Sequence, residues 1–296
     1  MTKCTDIFET LMQEEARIFA KSFLKMKEEF GEEWERQFDS HLSRLFGNSM
    51  EAMRNALRGY RAFAIDAMRL QNDFNKDKQY KSKSYEQALT DVYLNKSYMH
   101  DLYLPGIFLS NFLWPHHFRQ LLFYHQHFIP VAKKLGVKEF YDVGTGTGFY
   151  SVQFMNRISG VRGFGIDISP YSREFTREHI EKWGFGSEYT SMDVNILEEH
   201  LPAKDCIQSV EVLEHLSDPL SYLHQLRSLL KPGGVGFITA ALTAPNADHI
   251  YLYWHADEVI EQLENAGFEI LKSVQECAYA ESEGNIAPKI AAFVVK

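Results

Sequence analysis

The chain has 296 residues, of which 45% are hydrophobic and 24% are charged. These values are typical of one or two globular domains with a substantial core, and they exclude disordered, collagen-like and disulfide-scaffold proteins. The net charge of −9 is uneven, because residues 1–136 hold 19 basic and 17 acidic side chains whereas residues 137–296 hold 12 and 23. The acidic C-terminal half disfavours a nucleic-acid partner.

Three features predict a cytoplasmic protein without a membrane partner. The three cysteines are scattered and lack CxxC spacing, as in reduced intracellular proteins. The first residues lack the basic and apolar regions of a secretory signal. The most apolar stretch, residues 102–114, is interrupted by Pro105 and Gly106 and falls short of the roughly 20 residues that a membrane span needs.

Residues 1–136 are predicted to form an all-helical N-terminal domain. Apolar side chains recur at helical spacing over residues 7–30, 34–45, 50–74 and 114–135. Gly31 and Gly47 are the expected ends of the first two helices, and the polar, basic residues 76–84 are an expected linker. We expect a packed bundle that covers a substrate site or pairs two subunits, because a coiled coil would need a purer apolar seam.

Residues 137–296 alternate between short β-rich runs and amphipathic segments of helical length, which predicts an α/β domain with a mainly parallel sheet. The predicted strands are residues 139–143, 160–166, 187–192, 206–210, 235–240, 270–278 and 289–295. Ser169 and Asp218 each precede a proline and are expected to cap helices. Residues 231–234 are expected to turn the chain back into the sheet.

Residues 140–151 place three glycines where a predicted strand meets a predicted helix. Gly144, Gly146 and Gly148 would allow backbone N–H groups to approach a ligand closely. A nicotinamide dinucleotide is disfavoured, because the third glycine of its fingerprint would fall at Phe149. A glycine-rich turn is by itself a weak signal, which the residues that follow it strengthen.

Carboxylates follow the next three predicted strands. Asp167 ends the second strand, from which a carboxylate can accept both hydroxyls of a ribose. Asp193 ends the third strand and could accept a hydrogen bond from an adenine amine. The fourth strand runs into the sequence VEVLEHLSDP at residues 210–219.

In this order, these motifs resemble those of the class I S-adenosylmethionine (SAM) dependent methyltransferases. The motifs are DVGTGTG (142–148), GIDIS (165–169), SMDV (191–194), VEVLEHLSDP (210–219) and LLKPGGVGFIT (229–239). The resemblance implies a Rossmann-like, mainly parallel sheet with flanking helices, and SAM as a methyl donor that leaves as S-adenosylhomocysteine (SAH). It implies cofactor-binding roles for Asp142, Gly144, Thr145, Gly146, Gly148, Asp167, Ile168, Asp193, Val194 and Glu211.

Two histidines are candidates for a general base, which is needed only if the nucleophile carries a proton. His215 follows the fourth strand and His249 follows the fifth. A packing or capping role is the preferred interpretation of His215, because a lone histidine has several structural uses. A metal site is not expected, because His249 and His255 lack tight ligand spacing.

Acceptor binding is expected in the aromatic segment Tyr93–Phe128, which holds ten aromatic residues and five histidines. Most of these residues are expected to form the interface between helices and sheet, and a few to line a pocket. The candidates are Tyr98, His100 and His116, which flank the Pro105–Gly106 break, and by resemblance Tyr251 and Tyr253.

The leading hypothesis is a methyltransferase that acts on a small-molecule acceptor by in-line displacement, with the helical domain closing over the site. A protein or peptide methyltransferase and a non-catalytic SAM-binding module are the alternatives. Oxygen, nitrogen, sulfur and carbon acceptors are all served by this fold, so the sequence leaves the acceptor atom open. The long amphipathic N-terminal helices are compatible with a homodimer.

Overall fold

The computed structural model describes residues 3–47, 49–81 and 84–296. Two residues of the predicted linker 76–84 lie outside this range. Within the described ranges, the helices that precede residue 136 pack on a seven-stranded sheet formed by residues 139–295. None of the described helices combines the length and the apolar character needed to cross a membrane.

The first three helices are long. They are α1 (Cys4–Glu15), α2 (Ala20–Phe46) and α3 (Met50–Asp77). The prediction of one continuous helix over residues 7–30 is wrong, because the chain leaves helical geometry at Ala16 and passes through a 3₁₀ turn before α2. Ala16 is fully buried, so the apolar pattern continues through the break. Gly31, with φ 60° and ψ −145°, is not helical and divides α2 into two helical parts at a kink, in agreement with the helix end expected there.

Five shorter helices follow, joined by π-helical turns. They are α4 (Tyr85–Ala88), α5 (Lys96–Tyr98), α6 (Leu104–Leu113), α7 (Pro115–Phe123) and α8 (Ile129–Leu135). The turns span Leu89–Tyr93, Met99–Tyr103 and Tyr124–Phe128. Pro105 and Gly106 do not break the chain as expected but lie in the first turn of α6, where a proline is tolerated.

The seven strands form one mixed sheet. They are β1 (Glu139–Val143), β2 (Arg162–Ile166), β3 (Tyr189–Met192), β4 (Lys204–Ser209), β5 (Leu230–Leu242), β6 (Ile270–Cys277) and β7 (Lys289–Val295). Their order is β3-β2-β1-β4-β5-β7-β6, with β7 antiparallel to both neighbours and the other pairs parallel. The α/β prediction is confirmed. Residues 231–234 belong to β5 instead of forming the expected turn, and a register shift in its pairing with β4 accommodates them.

Four helices flank the sheet. They are α9 (Phe149–Met155), α10 (Pro170–Lys182), α11 (Pro219–Ser228) and α12 (Ala256–Asn265). The two predicted caps are confirmed, because Ser169 Oγ accepts the Ser172 N–H at 3.4 Å and Asp218 Oδ1 accepts the Ser221 N–H at 3.1 Å.

One hydrophobic cluster joins the N-terminal helices to the sheet. Phe38 of α2 stacks on Phe112 of α6 with ring centroids 4.9 Å apart, and Phe112 contacts Phe149 at 5.5 Å. The opposite face of the sheet packs against α11 and α12 through residues such as Leu226 and Leu263. The helices before β1 are therefore held against the face of the sheet that carries α9.

Candidate active site

A cavity of about 1520 Å³ lies between the N-terminal helices and the carboxyl ends of the central strands. Gly144, Asp167 and Glu211 line it from the sheet, whereas Tyr60 and Trp114 line it from the helices. Ligands of open α/β sheets bind at the carboxyl ends of the strands, where the order of the strands reverses. Here that position is between β1 and β4.

The glycines of the turn between β1 and α9 stand at positions that disfavour a side chain. Gly144 and Gly146 adopt φ values of 77° and 54°. A Cβ atom on Gly144 would lie 2.4 Å from Val212 Cγ2, and one on Gly146 would lie 3.3 Å from Ile107 of α6. Gly148 does not line the cavity, and a Cβ atom there would approach Thr176 to 2.8 Å. Gly144 and Gly146 therefore line the cavity with backbone that carries no side chain, which we call the cradle, whereas Gly148 permits close packing against Thr176 of α10.

Asp167 closes the cradle at the end of β2. Its carboxylate accepts the Gly146 N–H at 2.9 Å and the Ser169 N–H at 2.8 Å. Burial raises the pKa of this carboxyl to about 6. A carboxylate retains further lone pairs, which could accept the hydroxyls of a ribose. The predicted cofactor residues Thr145, Ile168 and Val194 also line the cavity.

Asp142 lines the cavity but is already hydrogen-bonded. It is 2% exposed, and Ser151 Oγ donates to its carboxylate at 2.5 Å. Burial raises the pKa of Asp142 to about 7. Its expected contact with the amino group of SAM stays a prediction.

The structure does not bring Asp193 to the cavity. Its side chain is 72% exposed, and Arg173 of α10 donates to both of its oxygens at 2.7 and 2.8 Å. The chain turns toward α10 after β3, which directs this carboxylate to the surface. Asn195 and Leu197 line the cavity just beyond it.

Glu211 holds a strained backbone conformation at the end of β4. Its φ of 54° is rare for a residue with a side chain and costs on the order of 1–3 kcal/mol. Thr239 stabilises it twice, because its Oγ1 accepts the Glu211 N–H at 2.9 Å and donates to Glu211 Oε1 at 2.6 Å. Burial raises the pKa of Glu211 to about 7. Such strain at a cavity wall is typical of functional positions.

A second polar group, which we call the acid–histidine cluster, consists of Glu214, His215, Asp248 and His249. His215 Nδ1 lies 3.2 Å from Asp248 O and 3.4 Å from Asp248 Oδ2, and the two histidine rings are 4.8 Å apart. Glu214 and Asp248 are fully buried. Among the described residues, Glu214 Oε1 and Oε2, Asp248 Oδ1 and His249 Nδ1 have no hydrogen-bond partner.

Burial determines the charges in this cluster. It raises the pKa of Glu214 well above its ordinary value, with a further contribution from the negative charge of Glu211. It also lowers the pKa of His249 to about 3, so this imidazole is neutral at physiological pH. Burial opposes ionisation of Asp248 as well, but the neighbouring His215 and His249 leave its pKa lower than usual.

The cluster could hold a metal ion. Ligand atoms from Glu214, His215 and His249 all lie within 4.8 Å of one another. One carboxylate and two imidazoles form a donor set that suits zinc, iron or manganese. The sequence-based expectation of no metal stays a prediction, and this geometry gives a reason to test it.

Two tyrosines connect the N-terminal helices to the acid–histidine cluster. Tyr103 OH and Tyr93 OH donate to Asp248 Oδ2 at 2.6 and 2.9 Å. Ser169 Oγ, next to the cofactor cradle, donates to Tyr93 O at 2.8 Å. The aromatic content of Tyr93–Phe128 predicted a role for this segment in the site. No sequence motif identified Asp248 as the hydrogen-bond acceptor of its tyrosines.

The candidate acceptor-binding residues separate into two groups. His116 and the proposed bases His215 and His249 line the cavity. Tyr98, His100, Tyr251 and Tyr253 do not line it, and each has another partner. Tyr98 packs on Tyr103, His100 Nε2 lies 3.6 Å from a Glu174 oxygen, and the hydroxyls of Tyr251 and Tyr253 both bond to Gln262. Tyr251 and Tyr253 follow a loop that pairs back with the end of β5, which turns them into the core.

The family model for a methyltransferase domain matches residues 117–273. The chain belongs to this family. Its sheet and glycine cradle are those of the class I SAM-dependent methyltransferases, and SAM is the cofactor of that group. The part of SAM that each residue contacts stays a prediction: the resemblance implies that Gly144 and Gly146 hold the methionine part and that Asp167 holds the ribose.

A ubiquinone biosynthesis O-methyltransferase of Pseudoalteromonas translucida (strain TAC 125) is 30% identical over 161 residues, which cover 52% of this chain and 67% of the relative. Matches to other curated relatives of the same name cover only 37% and 47% of their lengths.

Two solved structures share the fold. Mitomycin 7-O-methyltransferase MmcR has a TM-score of 0.53 at 12% identity, with 85% of this chain and 74% of that chain covered. N-methyltransferase NodS from Bradyrhizobium japonicum WM9, in complex with SAH, has a TM-score of 0.51 at 18% identity, with coverage of 72% and 98%.

Proposed function

We propose that this protein transfers the methyl group of SAM to a hydroxyl oxygen of a small-molecule acceptor held in the cavity. The observation that carries the proposal is the buried acid–histidine cluster beside the cofactor cradle. A hydroxyl is a weak nucleophile and needs its proton removed or its oxygen polarised, which such a cluster can do. The names of the curated O-methyltransferase relatives also favour oxygen as the acceptor atom.

His215 is the residue that we propose as the base. When bound, SAM supplies an electrophilic methyl group, so the protein must orient the acceptor and receive its proton. Hydrogen bonding of His215 Nδ1 to Asp248 O assigns the ring proton to Nδ1 and leaves Nε2 to take the proton of the acceptor. This role replaces the packing role preferred from the sequence alone.

The same side chains offer a second route to an activated hydroxyl. A divalent cation held by Glu214, His215 and His249 could polarise the oxygen directly. It would also favour the ionised form of Glu214, whose two carboxyl oxygens have no partner among the described residues. In that case His215 would be a ligand and not a base.

The cavity supports a small-molecule acceptor over a peptide. Its walls come from α3, α6 and α7 on one side and from the strand ends on the other, and a mainly apolar and aromatic lining with a few buried polar groups is typical of small-molecule sites. A non-catalytic SAM-binding module would have no use for the unpaired buried groups of the acid–histidine cluster.

The test is transfer of label from methyl-labelled SAM into a cellular metabolite extract, followed by separation of the products by mass. We expect label in low-mass products with the wild-type protein. Mass spectrometry should assign this label to methyl ethers. Label found only in protein or RNA would refute the proposal.

Two variants make the assay specific. Asp167→Ala should weaken SAH binding by about 1–3 kcal/mol, because it removes charge-assisted hydrogen bonds of the cradle. His215→Ala should keep SAH affinity but lose at least 100-fold in the transfer rate. His200→Ala, which changes an exposed histidine, is the matched control and should behave as wild type.

A further inference from the structure

The helical wall of the cavity carries three aromatic rings in nearly parallel planes. Trp114 stacks on Phe63 at a centroid distance of 5.6 Å and an interplanar angle of 20°, and on His116 at 5.7 Å and 13°. Trp114 Nε1 donates to Tyr60 OH at 3.1 Å, so the polar atom of the indole is already paired. All four side chains line the cavity. Phe63 and His116 are only 3% and 5% exposed, whereas Trp114 is half-buried, so the indole that they hold in place is the ring available to another flat ring.

Two polar atoms on the same wall are buried without a partner. His116 and Gln120 lie one turn apart on α7, line the cavity, and are only 5% and 2% exposed. His116 Nδ1 and Gln120 Oε1 have no hydrogen-bond partner among residues 3–47, 49–81 and 84–296. The Gln120 amide nitrogen donates to Tyr150 OH at 2.9 Å, which leaves Oε1 as an acceptor. Buried atoms of this kind usually have a partner, and a ligand can supply it.

The side chains proposed below to bind a ligand, Phe63, Trp114, His116 and Gln120, carry no charge. Arg119 pairs with Glu29, Lys289 pairs with Glu281 at 2.9 Å, and Lys25 is exposed on α2. Burial lowers the pKa of His116 well below its ordinary value, so its ring is neutral. Of these three cations, Lys25 is the one without an acidic partner among the described residues, and it lies on α2 and not among Phe63, Trp114, His116 and Gln120.

We propose that Phe63, Trp114 and His116 form a subsite for a flat, uncharged aromatic ring, and that His116 and Gln120 bind a hydroxyl of that ring. This hydroxyl is distinct from the one that faces the acid–histidine cluster, so the acceptor is an aromatic diol or a larger polyphenol. The cavity of about 1520 Å³ exceeds the roughly 300–1,000 Å³ of an ordinary ligand pocket, which leaves room for such a molecule beside the cofactor. The inference rests on the proposed function only for the identity of the reacting hydroxyl.

The experiment measures binding of three probes to the SAH-loaded protein by calorimetry and saturation-transfer NMR. The probes are 2,7-dihydroxynaphthalene, 2-naphthol and decahydro-2-naphthol, which differ in hydroxyl number and in flatness. We expect the diol to bind several-fold more tightly than 2-naphthol, and the saturated alcohol at least tenfold more weakly than 2-naphthol. Absence of binding of both aromatic probes at 2 mM, or equal affinity for all three, would overturn the subsite.

Two variants locate the binding. Trp114→Leu should weaken binding of both aromatic probes at least tenfold, whereas Trp254→Leu, which alters a tryptophan packed on Phe74 outside the cavity lining, should not. His116→Phe should bind 2-naphthol with the wild-type affinity and should bind the diol no more tightly than 2-naphthol. Identical probe affinities for wild type and Trp114→Leu would overturn the assignment.

The affinity for SAH is measured with each variant and should stay at the wild-type value. A fall in SAH affinity for His116→Phe would assign the polar atoms of α7 to the cofactor and refute the proposed hydroxyl contact. Because these measurements need no methyl transfer, they are independent of the labelled-extract assay. Failure of that assay would remove the proposed activity and leave the aromatic subsite standing.

Discussion

Asp142 shows how a single residue of the cofactor loop affects stability. Its carboxyl is buried at the end of β1, and its pKa is raised from 3.8 to about 7. A raised pKa means that the folded state binds a proton more tightly than the unfolded state. The free energy of unfolding therefore falls as the pH rises from about 4 to 7. Over this range the unfolded chain loses the proton of Asp142, whereas the folded protein still holds it.

We predict that Asp142→Asn becomes more stable relative to wild type as the pH rises. The amide keeps an acceptor for Ser151 Oγ but does not ionise. Between pH 5 and pH 8 the difference in the free energy of unfolding should shift by roughly 2–4 kcal/mol in favour of the variant. Urea unfolding at the two pH values measures it. A constant difference would show that the Asp142 pKa is not raised.

A second residue-scale prediction concerns the ligand atoms of Glu214, His215 and His249. If they bind a divalent cation, dialysis against a chelator should lower the melting temperature, and added Mn²⁺ or Zn²⁺ should restore it. Glu214→Gln should abolish this response, whereas Glu199→Gln, at an exposed position, should retain it. No metal-dependent shift in wild type would leave His215 as the proposed base.

At the scale of elements, the two π-helical turns that end in Tyr93 and Tyr103 connect the helices to the cavity. Both hydroxyls converge on Asp248 Oδ2. His215 Nδ1 lies 3.2 Å from the main-chain O of Asp248 and 3.4 Å from the same Oδ2. The segment 89–103 and the proposed base therefore share one buried carboxylate, so a change in one should alter the position of the other.

We predict that the double variant Tyr93→Phe and Tyr103→Phe loosens this segment. It removes two hydrogen bonds to a charged group, each worth about 1.5–3 kcal/mol, and leaves Asp248 without hydroxyl partners. Hydrogen exchange of residues 89–103 should accelerate at least tenfold. Tyr98→Phe, on the same segment but without a bond to Asp248, is the control. Equal exchange in both variants would contradict the link.

The elements themselves were largely predictable from the sequence, because strand and helix periods persist over five or more residues. The break at Ala16 and the placement of Asp193 were not. The apolar pattern continues through Ala16, and the direction of Asp193 depends on its ion pair with Arg173 of α10, which the local sequence does not encode. Likewise, the sequence placed His215 near the acceptor, but only the fold brings Asp248 and His249 beside it.

At the scale of the whole molecule, the N-terminal helices and the sheet share one hydrophobic cluster. The family match begins at residue 117, inside α7, and so before the boundary at residue 136 that the sequence predicted. We keep the division into residues 1–136 and 137–296 as a proposal about architecture, with no implication that either part folds alone. The homodimer and the cytoplasmic location also stay predictions.

We predict that the two parts unfold together in urea. Trp34 and Trp114 report on the helices, whereas Trp183 and Trp254 report on the sheet half. In the double variant Trp183→Phe and Trp254→Phe, tryptophan fluorescence reports on the helices alone, whereas circular dichroism reports on the whole chain. The two unfolding midpoints should be equal, because the shared hydrophobic cluster couples the two parts. A fluorescence midpoint that differs from the circular dichroism midpoint would indicate independent unfolding.

The position of β7 has a consequence for biosynthesis. This strand, residues 289–295, lies between β5 and β6, although both are translated before it. Until β7 leaves the ribosome, one edge of β5 has no neighbouring strand. The hydrophobic cluster that joins the helices to the sheet also lacks Ala292 and Val294 until then. Exposed strand edges promote aggregation, so we expect the sheet to stay incomplete and to depend on chaperone binding until β7 has left the ribosome.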